Sequence, residues 1–170
     1  MVYKIVKYGD PILETNCDPV TEFDTPELHQ LIEDMFETMY SARGVGLAAP
    51  QVGLSKRLTV IDVTAGEEGG EKIVLINPEI VTKEGFQTGE EGCLSIPGFR
   101  EDVTRARTAT VKAQNAKGEW FEINGEDLLA RAMQHEIDHL NGILFLKHLS
   151  PLKRDLIRRK IRKMQKAGEW

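Results

Sequence analysis

The stretch that most constrains this chain is Gln134-His135-Glu136-Ile137-Asp138-His139, inside a segment from about Glu126 to Asn141 that reads as one helix closed by Gly142. At about 100° per residue the helix divides into three sectors. Leu129, Met133, Ile137 and Leu140 form an apolar face suited to a core. Asp127, Gln134, Asp138 and Asn141, with Arg131 at the margin, form a polar face that the pattern assigns to solvent. The third sector is a stripe carrying His135 and His139 beside Leu128 and Ala132.

Two histidines at i and i+4 project to the same side and can share one metal ion, while Glu136 lies just off their axis, within reach of a water but not ligating. The residue pattern alone leaves open a pair of structural histidines. A catalytic site of this type needs a third protein ligand and an open position. Candidates are His29, His148, the acids, Cys17 and Cys93. Cys93 stands apart because Gly89-Glu-Glu-Gly-Cys-Leu-Ser-Ile-Pro-Gly98 surrounds it with residues that permit a tight backbone approach. Cys17 reads as a buried, reduced thiol, and two cysteines make no disulfide framework.

The rest of the chain limits the fold. At 170 residues it is sized for one domain with a terminal extension, divided here into a catalytic part, 1–150, and a basic helix, 151–170. With 41% hydrophobic and 29% charged residues it is too apolar for disorder, and no apolar run approaches the roughly 20 residues of a bilayer span, so no transmembrane helix is expected. The acids and the Gly-Asp-Pro turn near the N-terminus do not suit an export signal, so a cytoplasmic location with no membrane partner is expected. Thr25-Pro26 caps a first helix whose Leu28, Leu31, Ile32, Met35, Phe36 and Met39 recur at helical spacing, ending near Ser41–Gly44. Strand-like runs follow at 58–61, 73–76 and 80–82, the last two separated by Asn77-Pro78. A hairpin is expected from 108–113 and 120–123 around Asn115–Gly118. Helices at the ends of the strand runs, not alternating with them, predict an α+β fold. Its strands would form small antiparallel or mixed sheets around the central metal-binding helix, with one helix at each terminus.

Three segments together, Gly44-Val-Gly-Leu-Ala-Ala-Pro-Gln51, Glu91-Gly-Cys-Leu-Ser95 and Gln134–His139, resemble the three signature motifs of the peptide deformylases, in order and across nearly the whole chain. The resemblance implies hydrolysis of the N-formyl group from the formyl-methionine of nascent polypeptides, releasing formate. It implies that Cys93, His135 and His139 hold one divalent ion. Glu136 would be general base and then acid, with the Gln51 amide and the Leu94 backbone N–H as oxyanion donors. Ligand chemistry by itself points to Zn²⁺; the resemblance implies Fe²⁺, replaceable by Ni²⁺, Co²⁺ or Zn²⁺, and hence loss of activity in air. The resemblance also implies that Glu91 pairs with Arg105 as a brace behind the metal loop, while the residues alone leave open a surface ion pair. Substrate would lie against Val45, Gly46, Leu128 and Ala132, with Arg100 beside the peptide beyond the methionine; the direction of Arg131 is open.

Two other readings share the motif. A small zinc endopeptidase would use the same His-Glu-x-x-His with a His or Glu as third ligand. A ribosome-associated module with a structural metal would have no use for Gln51 or Glu136. The tail bears on the second: Pro151–Trp170 holds eight bases and two acids, a balance of +6 against −11 for the first 150 residues. Its Leu152, Leu156, Ile157, Ile161 and Met164 make an apolar stripe among basic residues, and the resemblance implies docking of this helix on the ribosome.

Overall fold

The computed structural model describes residues 1–170. Helix α1 (Pro26–Ser41) begins where Thr25 accepts a hydrogen bond from the Leu28 amide at 3.1 Å, with Pro26 in the first turn. Seven strands follow: β1 (Gly46–Ala48), β2 (Leu58–Ile61), β3 (Ile73–Glu84), β4 (Gln87–Cys93), β5 (Ile96–Arg105), β6 (Thr108–Gln114) and β7 (Trp120–Glu126). Helix α2 (Asp127–Leu140) comes directly after β7, and helix α3 (Pro151–Lys166) ends the fold. Short 3₁₀ turns occupy Pro11–Glu14, Ala49–Val52 and Phe145–His148.

Five strands form one sheet in the order β1-β2-β3-β6-β7, and β4 and β5 form a separate hairpin. Every ladder is antiparallel; the one parallel contact is an isolated bridge between Asp18 and Lys56. All four residues of β2 are buried, as suits a largely apolar strand covered on both faces, and the hydroxyl of its one polar residue, Thr59, donates to the Leu47 carbonyl at 2.9 Å. Leu58 and Val60 pack with the α1 residues Leu31, Met35 and Met39, whereas Ile61 packs with Met133 and Ile137 of α2. Thus α2 lies against the sheet through the face expected to be apolar. On its other side it meets the β4–β5 hairpin.

Three features differ from the sequence reading. Asn77-Pro78 does not end a strand: β3 runs from 73 to 84, and the pair sits in a bulge where Asn77 takes φ 50° and the register with β6 shifts. The β4–β5 hairpin was not anticipated, because Gly89, Glu90, Glu91 and Gly92 have neither the alternation nor the branched side chains of a strand. The polar face of α2 is wet only at its ends, where Asp127 and Asn141 are exposed. Gln134 is buried and bonds the backbone N–H and C=O of Ala106 at 3.2 and 3.0 Å, Arg131 is buried, and Asp138 is half-buried. The middle of that face is an interface with the hairpin and the turn after it, held by hydrogen bonds in place of apolar contact.

The C-terminal helix is part of the same body. Ile157 and Ile161 are buried with Leu13, Ile96, Val103, Phe145 and Leu149. Leu152 and Leu156, expected on the same stripe, are 71% and 47% exposed, so only the Ile157–Ile161 line reaches the core. No helix is long and apolar enough to cross a membrane.

Candidate active site

Helix α2 carries His135 and His139 one turn apart, and their Nε2 atoms stand 3.1 Å from each other. The thiol arrives from a different element: Cys93 is the last residue of β4, and the two-residue turn Leu94-Ser95 reverses the chain into β5. That reversal brings Cys93 Sγ to 3.4 Å from His139 Nε2. The three donor atoms lie within 4.8 Å of one another. Tetrahedral bonds of about 2.1 Å to nitrogen and 2.3 Å to sulfur would set donors roughly 3.4–3.6 Å apart, so this triad fits a single ion. The other candidates for third ligand are engaged elsewhere: His29 with Asp24 at 2.7 Å, His148 with Asp138 at 2.8 Å, while Cys17 is buried beside Ala48 and Leu140.

What surrounds the triad orients it. Glu91 Oε1 lies 2.7 Å from His135 Nδ1, which leaves Nε2 as the free ligating atom. Glu91 is in turn clamped by Arg105, through Nε at 2.6 Å and Nη2 at 2.9 Å, and by Nη1 of Arg131. The Glu91–Arg105 pair is the brace anticipated from sequence; here it is fully buried. Arg131 is closed off from solvent, also donates to the Val103 carbonyl at 3.0 Å, and lines the cleft. Burial opposes ionisation of Glu91, yet the bonds from His135 and Arg105 outweigh it and hold the carboxyl far below the usual range. Burial likewise works against a charge on His135, but Cys93 and Glu91 overcome it and push its pKa up to about 10. Burial and the charge of His135 drive His139 well below its ordinary value. Without a metal ion, the additional proton that makes an imidazolium is thus favoured on His135, the ring on the Glu91 side, and disfavoured on His139.

Glu136 is buried, and its Oε1 has no hydrogen-bond partner in the protein. Burial pushes its pKa up to about 7, against the opposing charge of His135. The carboxylate lies over Gly46: a Cβ at that position would stand 2.6 Å from Glu136 Oε2. Gly46, expected as a substrate contact, is seen to make room for the acid. Gln51 is buried in the 3₁₀ turn after β1. Its Oε1 accepts from the Ala48 amide at 3.0 Å, which turns Nε2 toward Ser95 Oγ at 3.2 Å and Cys93 Sγ at 3.5 Å.

One cleft of about 560 Å³ collects nearly all of the expected residues. Val45, Gly46, Gln51, Cys93, Leu94, Arg100, Leu128, Ala132, His135 and Glu136 line it; His139 lies beneath, almost fully buried. Leu128 is 48% exposed and stands at the mouth, whereas Ala132 is buried. Arg100 pairs with Glu90 at 2.6 Å, with both side chains exposed. The sequence reading missed the partnerships of Arg131, Asp138 and Ser95. Its available signal was the run of polar residues along α2, which it assigned to water.

The sequence and fold match those of known proteins. Residues 2–155 match the family described as polypeptide deformylase. A peptide deformylase of Acidobacterium capsulatum is 63% identical over 170 residues, covering 100% of this chain and 99% of that protein. The crystal structure of a peptide deformylase from Legionella pneumophila superposes with a TM-score of 0.90 at 52% identity, covering 99% of this chain and 98% of the other. That of a peptide deformylase from Thermus thermophilus gives 0.87 at 45% identity, over 96% and 95%.

Proposed function

This chain belongs to the polypeptide deformylase family, whose members hydrolyse the N-formyl group of formyl-methionyl peptides with the aid of a metal ion, and we propose that its cleft does so with the residues described above. Cys93, His135 and His139 would hold the ion. When bound, it supplies Lewis acidity, polarising a carbonyl and lowering the pKa of a water. The protein's own groups do the rest. Glu136, which lines the cleft and whose buried Oε1 has no hydrogen-bond partner in the protein, takes the proton of the attacking water. The Gln51 amide, fixed by its bond to Ala48, and the Leu94 N–H in the β4–β5 turn donate to the oxygen that gains negative charge. Protonated Glu136 then gives its proton to the departing amine. One water and one formamide yield formate and the free N-terminus.

The observation that carries this reading is the convergence of a cysteine sulfur, two imidazoles, an unpartnered carboxylate and an oriented amide at one cleft. An endopeptidase using the same helix motif usually recruits His or Glu as third ligand, and here the third donor is a cysteine. A purely structural metal site leaves Glu136 and Gln51 without work. The ion is Fe²⁺ on this reading, with Zn²⁺, Ni²⁺ or Co²⁺ as substitutes. The substrate's methionine side chain lies against Leu128, Ala132 and Val45, and Arg100 flanks the following residues. The protein works in the cytoplasm on nascent chains. Residues 1–150 carry the chemistry, and the basic face of α3, continuous with the same body, docks on the ribosome. Formate release from a formyl-methionyl tripeptide by anaerobic, Fe²⁺-loaded protein tests the reaction. Release by the wild type and none by Glu136→Ala is expected. No release by wild-type protein with metal bound stoichiometrically would refute it.

A further inference from the structure

The buried ion pair behind α2 does not end at Arg105. Arg105 Nη1 donates to Asp138 Oδ2 at 2.9 Å, and the same oxygen lies 2.8 Å from His148 Nε2. A continuous line of bonds therefore runs from His148 through Asp138, Arg105 and Glu91 to His135 Nδ1, the last at 2.7 Å. We propose that His148 is a positioning residue for the metal centre, setting the orientation and basicity of His135 through this line while touching neither metal nor substrate. The inference rests on the reading of His135 as a ligand.

Two features carry it. The first is competition for single oxygens. Glu91 Oε1 serves both Arg105 Nη2 and His135 Nδ1, so how strongly Arg105 leans on Glu91 governs how much of that oxygen His135 receives. What draws Arg105 the other way is Asp138, whose Oδ2 it shares with His148. The second is exposure. Glu91 and Arg105 are buried and Asp138 is half-buried, whereas His148 is the member most open to water, with 37% of its side chain exposed. The 3₁₀ turn that presents His148 is pinned by Phe145 and Leu146, both buried. An isolated surface His–Asp pair would contribute little; a pair that shares its oxygen with a buried guanidinium transmits to whatever that guanidinium holds.

The test is the affinity of metal-free protein for Co²⁺, measured by competition with a chromophoric chelator, in His148→Ala, His148→Gln and Asp138→Asn. Loss of an outer partner of a ligand typically costs 10–100-fold in affinity; for the more distant His148 about threefold to tenfold is expected, and more for Asp138→Asn. His148→Gln, whose amide can donate to Asp138, should recover most of the loss. The Co²⁺ absorption bands should shift in His148→Ala, and KM for a formyl-methionyl peptide should stay near the wild-type value. Wild-type affinity in both His148→Ala and Asp138→Asn, in a series where His135→Ala loses tight binding, would overturn the proposal alone. Tight binding retained by His135→Ala would overturn the ligand assignment and the proposal with it. Lowered thermal stability of the metal-free variants with unchanged affinity would reduce His148 to a structural contact and overturn it too.

Discussion

Glu136 must be ionised to accept a proton, and burial raises its pKa to about 7 while a neighbouring cation pulls it down. The acid limb of kcat/KM is therefore expected at or below pH 7, falling about tenfold per pH unit beneath it, and a pH–rate profile of Fe²⁺- or Co²⁺-loaded protein checks this. Glu136→Gln should lower kcat by about 10²–10⁴ with metal content unchanged. Gln51→Ala should cost about 10²–10³ in kcat with little change in KM, because its amide matters chiefly when charge develops. Gly46→Ala tests the close approach directly: its methyl would press on the Glu136 carboxylate, so activity should fall steeply while the protein still folds and binds metal. At this scale the sequence was informative because the chemistry dictates both residue type and spacing. Two histidines one helical turn apart, a cysteine among glycines and a glutamine after a proline can be read directly. The space that Gly46 leaves for Glu136 joins residues 90 positions apart and has no local signature.

The helix that carries His135 and His139 is held on two sides by different physics. Its apolar face, Met133 and Ile137 against Leu75 and Val111, follows helical periodicity and was legible. Its polar face packs against a hairpin that the sequence concealed, because Glu91 and Arg105 are strand residues whose side chains pair inside the protein. Removing one partner of such a buried pair typically costs about 3–5 kcal/mol, so Arg105→Met should lower stability by that order in a denaturant titration. Glu91 adds an acid dependence of known sign. Its carboxyl is depressed in the fold, so its contribution is complete above the ordinary value of 4.5 and lost as pH falls below that toward the depressed value. Glu91→Gln should be less stable at neutral pH, with a flatter decline below pH 4.5 in thermal unfolding.

Over the whole molecule, the charge division between an acidic body and a basic tail was visible at once, but how the tail is attached was not. Periodicity marked five apolar residues of α3, and the body uses chiefly Ile157 and Ile161. Deleting residues 151–170 would strip the cover from Leu13, Phe145 and Val103, so loss of a partner on deletion would be confounded with damage to the core. Replacing the exposed Arg159, Lys160 and Lys163 with Glu keeps the helix and inverts its outer face. Ribosome binding by this variant should weaken strongly, with wild-type binding itself falling as salt rises, while formate release from a free tripeptide is retained; equal binding would dismiss the docking role. The central claim concerns the smaller scale on which all of this converges, that Cys93, His135 and His139 hold one ion above Glu136. X-ray absorption at the metal edge of stoichiometrically loaded protein tests it most directly. The account predicts one sulfur scatterer at about 2.3 Å with two imidazoles for the zinc form, and loss of the sulfur in Cys93→Ser. A first shell of nitrogen and oxygen alone in the wild type would contradict it.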